Sequence, residues 1–292
     1  MKIIAPEYFK DFECLKGGCR HSCCAGWEID IDEDTLEYYA SLPEEQRRWL
    51  ESNIDGAHFR LTEDGRCPLL RSDGLCEMII RLGTDALCDI CIDHPLFRNE
   101  FTGRTEIGFG LCCEAACALA IGQEGKVGFV CAGDDGAAEM PDAAETKLLS
   151  ERDEMIMLAQ KRELPIAGRI AEIEKYCGIA PCNVPELSKF MSRLEMMDAR
   201  WGELLSAAAG AGEGFPEGKD AQLEQLLVYL IYRHSLRPPE FACAMFRIIC
   251  AVAAAFPEED FMEICRRFSS EIEYSDENPE KITEYLKEHK NY

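Results

Sequence analysis

The feature that most constrains this fold is a dense group of cysteines near the start of the chain. Residues 14–24 read CLKGGCRHSCC, which places four thiols in one short segment. Of the 17 cysteines in 292 residues, twelve lie in residues 1–131. The opening residues MKIIAPEYFKDFEC lack the apolar central region of a signal peptide, so we expect a cytoplasmic protein. In a reducing compartment, clustered thiols bind metal more often than they form disulfides.

Short spacings between these thiols indicate chelation. Cys88-Asp-Ile-Cys91 is a C-x-x-C motif, which can direct two thiolates at one metal, and it follows the four-thiol segment. A closed four-cysteine zinc site fits these spacings, and so does an iron–sulfur cluster held by three or four cysteines. The radical S-adenosylmethionine signature C-x-x-x-C-x-x-C is absent, because the thiol that follows Cys23 is Cys24.

The remaining cysteines are expected to pack as small apolar side chains. Cys113 and Cys117 are one helical turn apart, so a role in a metal site is open to them as well. The cysteines with packing as their expected role are Cys113, Cys117, Cys131, Cys177, Cys182, Cys243, Cys250 and Cys265.

Charge and hydropathy exclude two classes of partner. The net charge of −24 would repel nucleic acid, whereas it would attract a basic or lysine-bearing protein. No apolar run approaches the roughly 18 residues of a membrane helix, so no membrane partner is expected.

Hydrophobic periodicity predicts a mainly α protein with a small irregular β component, in which a Cys-rich metal-binding N-terminal part packs on a C-terminal helical bundle. We predict a Cys-rich domain over residues 1–132, a linker over 133–145 (GDDGAAEMPDAAE) and an α-helical domain over 146–292. Asp-Gly steps predict a hairpin within residues 58–80, and Gly103 predicts another. Residues 184–210 place Leu187, Met197 and Trp201 on one helical face.

Several segments resemble the flagellin lysine N-methylase family, which overlaps Cys-rich zinc- or iron-chelating domain proteins. They are FECLKGGCRHSCCAGWEIDID, RCPLLRSDGLCEMI, LCDICIDHPLFR, GFGLCCEAACALA, LVYLIYRHSL and SSEIEYSDENPEKI. The chain departs from the family where Cys112-Cys113-Glu114 replaces a usual Cys-Pro-Glu.

The resemblance implies a cytoplasmic enzyme that uses S-adenosylmethionine to methylate lysine ε-amines of flagellin or another lysine-bearing protein. It also implies a [4Fe-4S] cluster, with zinc as the alternative metal. A cluster held by three thiolates would leave one iron open to chelate S-adenosylmethionine, whereas four thiolates would make it structural or redox-sensing. The cysteines that match the family, and are therefore predicted metal ligands, are Cys14, Cys19, Cys23, Cys24, Cys67, Cys76, Cys88, Cys91 and Cys112.

Methylation of lysine requires a neutral amine, and a free lysine has a pKa of about 10.4. The polar triplet Tyr232, Arg233 and His234, in an otherwise apolar helix, is the candidate catalytic group, since buried polar residues need partners. The alternative function is a zinc- or cluster-binding interaction or redox module without methyltransferase activity. Further polar candidates are Asp30, Asp32, Tyr38, Tyr39, His94, Arg98, Glu273 and Tyr274.

Overall fold

The computed structural model describes residues 1–134, 136 and 140–289. Helices hold 53% of the residues and strands 11%, which confirms the mainly α prediction with its small β component. Contacts divide the chain into an inserted unit, Glu13–Leu96, and a discontinuous unit made of Met1–Phe12 and the residues from Phe97 onward. The predicted division was a different one, with one domain ending at residue 132 and the next beginning at residue 146. Within the described ranges, no helix is long and apolar enough to cross a bilayer.

Six strands and thirteen α-helices are described. The strands are β1 (Lys2–Pro6), β2 (Ile54–Asp55), β3 (His58–Phe59), β4 (Leu96–Phe101), β5 (Arg104–Phe109) and β6 (Phe129–Asp134). The helices are α1 (Glu33–Ser41), α2 (Glu44–Glu51), α3 (Glu77–Leu82), α4 (Asp89–Asp93), α5 (Glu114–Ile121), α6 (Ala143–Ala159), α7 (Ile166–Cys177), α8 (Val184–Met191), α9 (Ala199–Ala211), α10 (Asp220–Arg233), α11 (Pro239–Ala255), α12 (Phe261–Phe268) and α13 (Asn278–Glu288). A π-helix, Ser269–Glu273, directly follows α12.

The sheet of the discontinuous unit has the strand order β4-β5-β1-β6. Strand β1 is parallel to β5, where Lys2 pairs with Arg104, and antiparallel to β6, where Ile3 pairs with Gly133. Strands β4 and β5 turn at Gly103, whose φ of 74° suits glycine, so the hairpin predicted there is confirmed.

The core of the discontinuous unit surrounds α10 and α11, both of which are mainly apolar and are buried along most of their length. The single helical face predicted over residues 184–210 is wrong, because the segment forms two helices, α8 and α9. The Asp198 carboxylate accepts a hydrogen bond from Arg200 N and begins α9 as its N-cap. Leu187 and Trp201 are buried as predicted, whereas Met197 is 59% exposed in the connection.

Buried ion pairs inside the discontinuous unit include one between Arg152 and Glu106 and one between Arg247 and Glu174. Arg152 on α6 contacts both oxygens of Glu106 on β5, at 2.6 and 2.9 Å. Arg247 on α11 contacts both oxygens of Glu174 on α7, at 2.6 and 2.7 Å. Bidentate geometry offsets the cost of burying these charges, so the pairs fix the helices in one arrangement.

The inserted unit has its own small core, which includes Ile29, Ile31, Tyr39, Leu50 and Phe59. Helix α2 begins after Pro43, as the proline predicts. The hairpin predicted within residues 58–80 is wrong. Only the first residues of that segment form a strand, β3, and this strand pairs with β2, which precedes the segment. The rest of that segment forms tight turns, an isolated bridge between Leu70 and Cys76, and helix α3.

The predicted linker over residues 133–145 is largely structured at its two ends. Gly133 and Asp134 complete β6, and residues 143–145 begin α6, where the Asp142 carboxylate accepts a hydrogen bond from Glu145 N. Residues 135 and 137–139 lie outside the described residues. The glycine at 133 suggested a break, but it lies in a strand and packs against the Ile3 side chain.

Candidate functional site

The inserted unit brings together six of the nine cysteines predicted as metal ligands. They come from the loop before α1, from the turns before α3 and from α4 with its N-cap. The pKa values of these thiols depend on the charges of other thiols in the set, so the thiols lie near one another. This set is called the thiol group: Cys23, Cys24, Cys67, Cys76, Cys88 and Cys91.

Two hydrogen-bonded thiol pairs occur within the thiol group. A hydrogen bond from Cys23 lowers the pKa of Cys24, and the same bond raises the pKa of Cys23. In the C-x-x-C motif, a hydrogen bond from Cys91 lowers the pKa of Cys88 and raises that of Cys91. Each pair therefore has one thiol that ionises more readily than an ordinary cysteine, and the thiolate is the form that binds metal.

Asp32 fixes the backbone that carries the C-x-x-C motif. Its carboxylate accepts hydrogen bonds from Thr35 N at 2.8 Å and from Asp89 N at 2.9 Å, so it caps α1 and holds the start of α4. Nearby, Tyr39 donates to the Ala86 carbonyl at 2.7 Å, and burial raises the pKa of Tyr39. Asp32 and Tyr39 thus act on the backbone around the thiols and are poorly placed to act as bases.

The chemistry of the thiol group fits a metal-bound centre. All 17 cysteines are free of disulfides. Within the described residues, no three thiol sulfurs lie within 4.8 Å of one another. Around one tetrahedral zinc, with Zn–S of about 2.3 Å, sulfurs lie about 3.8 Å apart. The described thiols are therefore not arranged in the closed geometry of a single tetrahedral zinc site.

A different group of three side chains places its ligand atoms within 4.8 Å of one another. The ligand atoms of Glu28, Asp30 and His58 lie within that distance of one another, and the bridge between Asp30 and His58 aligns them. His58 Nδ1 is 3.4 Å from Glu28 Oε1. Ile29 and Ile31 are buried, whereas Glu28 and Asp30 are exposed.

Three predicted metal ligands lie outside the thiol group. Cys14 is exposed and accepts a hydrogen bond from Lys16 N at 3.3 Å, and Cys19 is half-buried in the same loop. Cys112 belongs to the discontinuous unit, where it lies beside Tyr274. Burial raises the pKa of the Cys112 thiol to about 12. A role for these three in metal binding stays a prediction.

Other polar candidates of the sequence analysis are spread over both units. Within the inserted unit, Tyr38 is 40% exposed on α1. In the same unit, His94 stacks on Trp27 with ring centres 6.2 Å apart, and burial lowers the pKa of His94 to about 4. Arg98 is exposed on β4. His94 is therefore neutral near pH 7.

The discontinuous unit contains a buried network around the carboxylate of Glu273. His234 Nε2 donates to Glu273 Oε1 at 2.9 Å, and the Arg233 guanidinium lies 3.4 Å from the same oxygen. Tyr229 and Ser269 donate to Glu273 Oε2 at 2.6 and 2.5 Å. These five residues are called the carboxylate network.

Charge within the carboxylate network is balanced. Burial alone would raise the pKa of Glu273, but the positive charge of Arg233 and hydrogen bonds from His234 and Ser269 outweigh it and hold the pKa at about 2. Burial lowers the pKa of His234, so its ring is neutral. Glu273 and Arg233 are the network's ions, and their charges cancel.

The structure separates the predicted triplet Tyr232, Arg233 and His234 into two roles. Arg233 and His234 bind Glu273, which the sequence analysis named in a separate segment. Tyr232 instead donates to the Ile4 carbonyl at 2.9 Å and is 3% exposed, so it ties α10 to the sheet.

The network reaches solvent at Tyr274, which is 39% exposed and hydrogen-bonds the Cys112 side chain. Arg233 lies over the rings of both Phe97 and Tyr274, at 4.8 and 5.2 Å. A Cβ at Gly110 would lie 2.5 Å from the Tyr274 hydroxyl, so glycine is needed for this close approach.

Sequence reasoning missed Tyr229, Ser269 and Gly110. Tyr229 is four residues before Arg233 on α10, and Ser269 is four residues before Glu273. Such spacing places side chains on one helical face, so it could have identified both residues as neighbours of the predicted site residues. The π-helix that aligns Ser269 with Glu273 has no comparable pattern in the sequence, although π-helical turns are frequent at functional sites.

A cavity of about 510 Å³ lies elsewhere in the discontinuous unit, between the loop after α7 and the ends of α11 and α13. Its wall includes Glu186, Cys182, Glu240 and Tyr285. None of the predicted site residues lines it.

Comparisons with known proteins identify relatives over part of the chain. Two proteins named Lysine-N-methylase, from Salmonella choleraesuis and Salmonella typhimurium, are 26% identical over 121 residues, which is 38% of this chain and 30% of theirs. A protein named Flagellar biosynthetic protein FliU, from Salmonella muenchen, is 28% identical over 121 residues and is covered over 72% of its length. No family model matches the chain, and no solved structure matches it. The chain spans about 30% of the length of the two lysine-N-methylases, and over this stretch it is similar to the lysine-N-methylase family.

Proposed function

We propose that this protein transfers methyl groups from S-adenosylmethionine to lysine side chains of a protein substrate, with flagellin as the first candidate, and that it binds an iron–sulfur cluster. The similarity to proteins named Lysine-N-methylase carries the proposal, and the FliU similarity favours a flagellar substrate. The net charge of −24 is favourable for approach of a lysine-bearing surface.

The thiol group is the proposed cluster site. Its cysteines are free, their thiols lie near one another, and two of them have lowered pKa values. A cluster bound here would supply an open iron if three thiolates hold it, or a structural or redox centre if four do. Asp32 keeps the C-x-x-C backbone in place for either arrangement.

The carboxylate network is the proposed support of the methyl-transfer site. Its Glu273 carboxylate is fully paired, so it is not available as a base for the substrate lysine. Its physical role is to hold Arg233 against the Tyr274 ring. The reacting lysine then meets a rigid, charge-balanced surface, which favours orientation of a neutral amine.

The direct test is methylation of flagellin by protein purified without oxygen. Mass spectrometry should find lysine residues heavier by one or more methylene units after incubation with S-adenosylmethionine. Iron and sulfide should copurify, with absorption near 400 nm. A colourless zinc protein that leaves flagellin unmodified would instead support the interaction-module alternative.

Cysteine variants test the cluster separately from methyl transfer. Cys88→Ser should lower the iron content and the visible absorption, because it removes a thiolate of the C-x-x-C motif. Cys131→Ser is the matched control, since Cys131 is an exposed thiol on β6 outside the thiol group. Equal iron in both variants would contradict the proposed cluster site.

A further inference from the structure

Three side chains on the surface of the inserted unit form a ligand set that contains no cysteine. They are Glu28, Asp30 and His58, called here the Glu–Asp–His group. Two carboxylate oxygens and one imidazole nitrogen lie within 4.8 Å of one another. The side chains of Glu28 and His58 are 63% and 38% exposed, so ions in solvent reach the group directly.

Paired backbone holds the Glu–Asp–His group together from below. Asp30 and His58 are direct partners in an antiparallel bridge. Beside them, Phe59 N donates to the Ile29 carbonyl at 3.0 Å, and both of these side chains are buried. Alternation along the extended segment leaves Glu28 and Asp30 on the opposite, exposed face.

His58 is held from its other side as well. It pairs with Asp55 in the ladder of β2 and β3, and a turn of only two residues, Gly56 and Ala57, joins these strands. The backbone that carries the imidazole is therefore ordered before any ion binds, which lowers the entropy cost of binding.

The charges of the Glu–Asp–His group favour a cation. Two carboxylates whose oxygens lie this close repel each other unless a positive group lies between them. Among the described residues, neither acid forms an ion pair with a lysine or arginine, and the partner that is present is His58, whose Nδ1 lies 3.4 Å from Glu28 Oε1. That contact offsets the charge of Glu28 when the ring is protonated, whereas a bound cation would offset both acids. The net charge of −24 also raises the local concentration of cations.

The mixture of ligand atoms selects among cations. Calcium and magnesium take oxygen ligands, and soft ions prefer thiolates, whereas imidazole suits zinc and other divalent transition metals. Zinc accepts histidine nitrogen and carboxylate oxygen together, each at about 2.0–2.2 Å, so its ligand atoms lie about 3.4 Å apart. Exposed side chains such as that of Glu28 can close the remaining distance by rotation of their χ angles.

We propose that Glu28, Asp30 and His58 bind one zinc ion, which clips the segment before α1 to the β2–β3 hairpin. Three protein ligands leave a tetrahedral zinc one open position, which water fills at this exposed site. The ion ties together residues 28 and 58, between which lie α1 and α2, and so stabilises the folded inserted unit. The inference is independent of the proposed methyl transfer. Zinc in the purified protein then belongs to this group, and its presence does not report on the thiol group.

Equilibrium dialysis against a zinc buffer, followed by metal analysis, tests the site. Asp30→Asn and His58→Gln should each bind one zinc fewer than the wild type. Loss of an outer partner of a metal ligand typically lowers affinity about 10- to 100-fold, so loss of a ligand itself should lower it by at least about 100-fold. Zinc held by cysteines is the same in these variants and cancels in the comparison.

Two further variants make the zinc measurement specific. Glu63→Gln is the matched control, since it removes an exposed acid of the same unit, and it should bind as much zinc as the wild type. Cys88→Ser should keep the zinc that Asp30→Asn loses. Equal zinc in the wild type and Asp30→Asn, or a zinc that only Cys88→Ser loses, would overturn the proposal.

Thermal unfolding tests the clip itself. In a Trp201→Phe background, emission comes from Trp27 and Trp49, which both lie in the inserted unit. Zinc at about 100 times its Kd should raise the melting temperature of this unit by roughly 10 °C. The rise should persist with Glu63→Gln and vanish with Asp30→Asn. A rise of equal size in Asp30→Asn would show that zinc stabilises the unit through other ligands and would refute the clip.

Discussion

Replacement of Glu273 by Gln is the sharpest perturbation of the carboxylate network. Glu273 is fully buried, and its loss would leave the Arg233 guanidinium, which is 9% exposed, without its counter-ion. Breaking a buried pair from one side costs about 3–5 kcal/mol. Arg233 keeps its 3.1 Å hydrogen bond to Tyr229 and its contacts with two rings, so the lower end applies.

The pKa of Glu273 gives a second route to the same magnitude. Its folded value of about 2 lies below the ordinary 4.5, so folding favours the ionised form. The stabilisation is complete above about pH 4.5 and is lost as the pH falls toward 2. The difference of about 2.5 units corresponds to about 3 kcal/mol. We therefore expect Glu273→Gln to lower the free energy of unfolding by about 3 kcal/mol at pH 7 and by clearly less at pH 3.

Urea unfolding measures this effect in the unit that contains Glu273. Trp201 is fully buried there, whereas Trp27 and Trp49 lie in the inserted unit. In a background with Phe at both of the latter positions, the emission follows Trp201 alone. With a urea dependence of about 3 kcal/mol per M, the midpoint should fall by about 1 M.

A double variant separates loss of the pair from general damage. Arg233→Met combined with Glu273→Gln removes the stranded charge and should be more stable than Glu273→Gln alone. A loss below about 1 kcal/mol at pH 7, or one of equal size at pH 3, would refute the assignment of Glu273 as an ionised, paired carboxylate.

Two predictions concern the inserted unit. His94→Gln should flatten the decline in stability between pH 6.5 and pH 4. Burial depresses the folded pKa of His94 to about 4. Its contribution to the free energy of unfolding, about 3 kcal/mol, is therefore present above pH 6.5 and is lost as the pH falls to 4. Trp27 emission in urea at several pH values measures this, and parallel curves for variant and wild type would contradict it. Gly74→Ala should destabilise the unit by more than Gly65→Ala, because both residues have positive φ but only at Gly74 would the Cβ lie 2.8 Å from Gly17 Cα. We expect losses of about 2–3 and about 1 kcal/mol by thermal melting, and equal losses would show that the close approach does not matter.

Local signals in the sequence predicted several elements of the fold. Pro43 marks the start of α2, and Gly103 predicts the hairpin of β4 and β5, because each residue acts on its own backbone and needs no distant partner. The sequence analysis missed the break between α8 and α9, because the apolar residues there continue one helical period. In the structure, the Asp198 N-cap outweighs that period and begins a new helix. The sequence analysis placed Gly133 in a linker. Its pairing with β1 could not be predicted, because the two strands are more than 100 residues apart in the chain.

The candidate site shows the same limit. The C-x-x-C motif and the four-thiol segment are local patterns, and the structure does bring most of their cysteines near one another. The pairing of Arg233 with Glu273 joins residues 40 positions apart, and nothing in either segment specifies the other. Cys112 has the same residue type as the thiol group, but residue type does not reveal that it belongs to the discontinuous unit.

The place of β1 in its sheet has a consequence for biosynthesis. This strand is synthesised before Glu13–Leu96, whereas β5 and β6, which flank it, follow only after the whole of Glu13–Leu96 has been made. The nascent chain therefore contains the whole thiol group, in a unit with its own core, while β1 still has two unpaired edges. The inserted unit can thus complete its own core, with the thiol group beside it, before the sheet of the discontinuous unit closes.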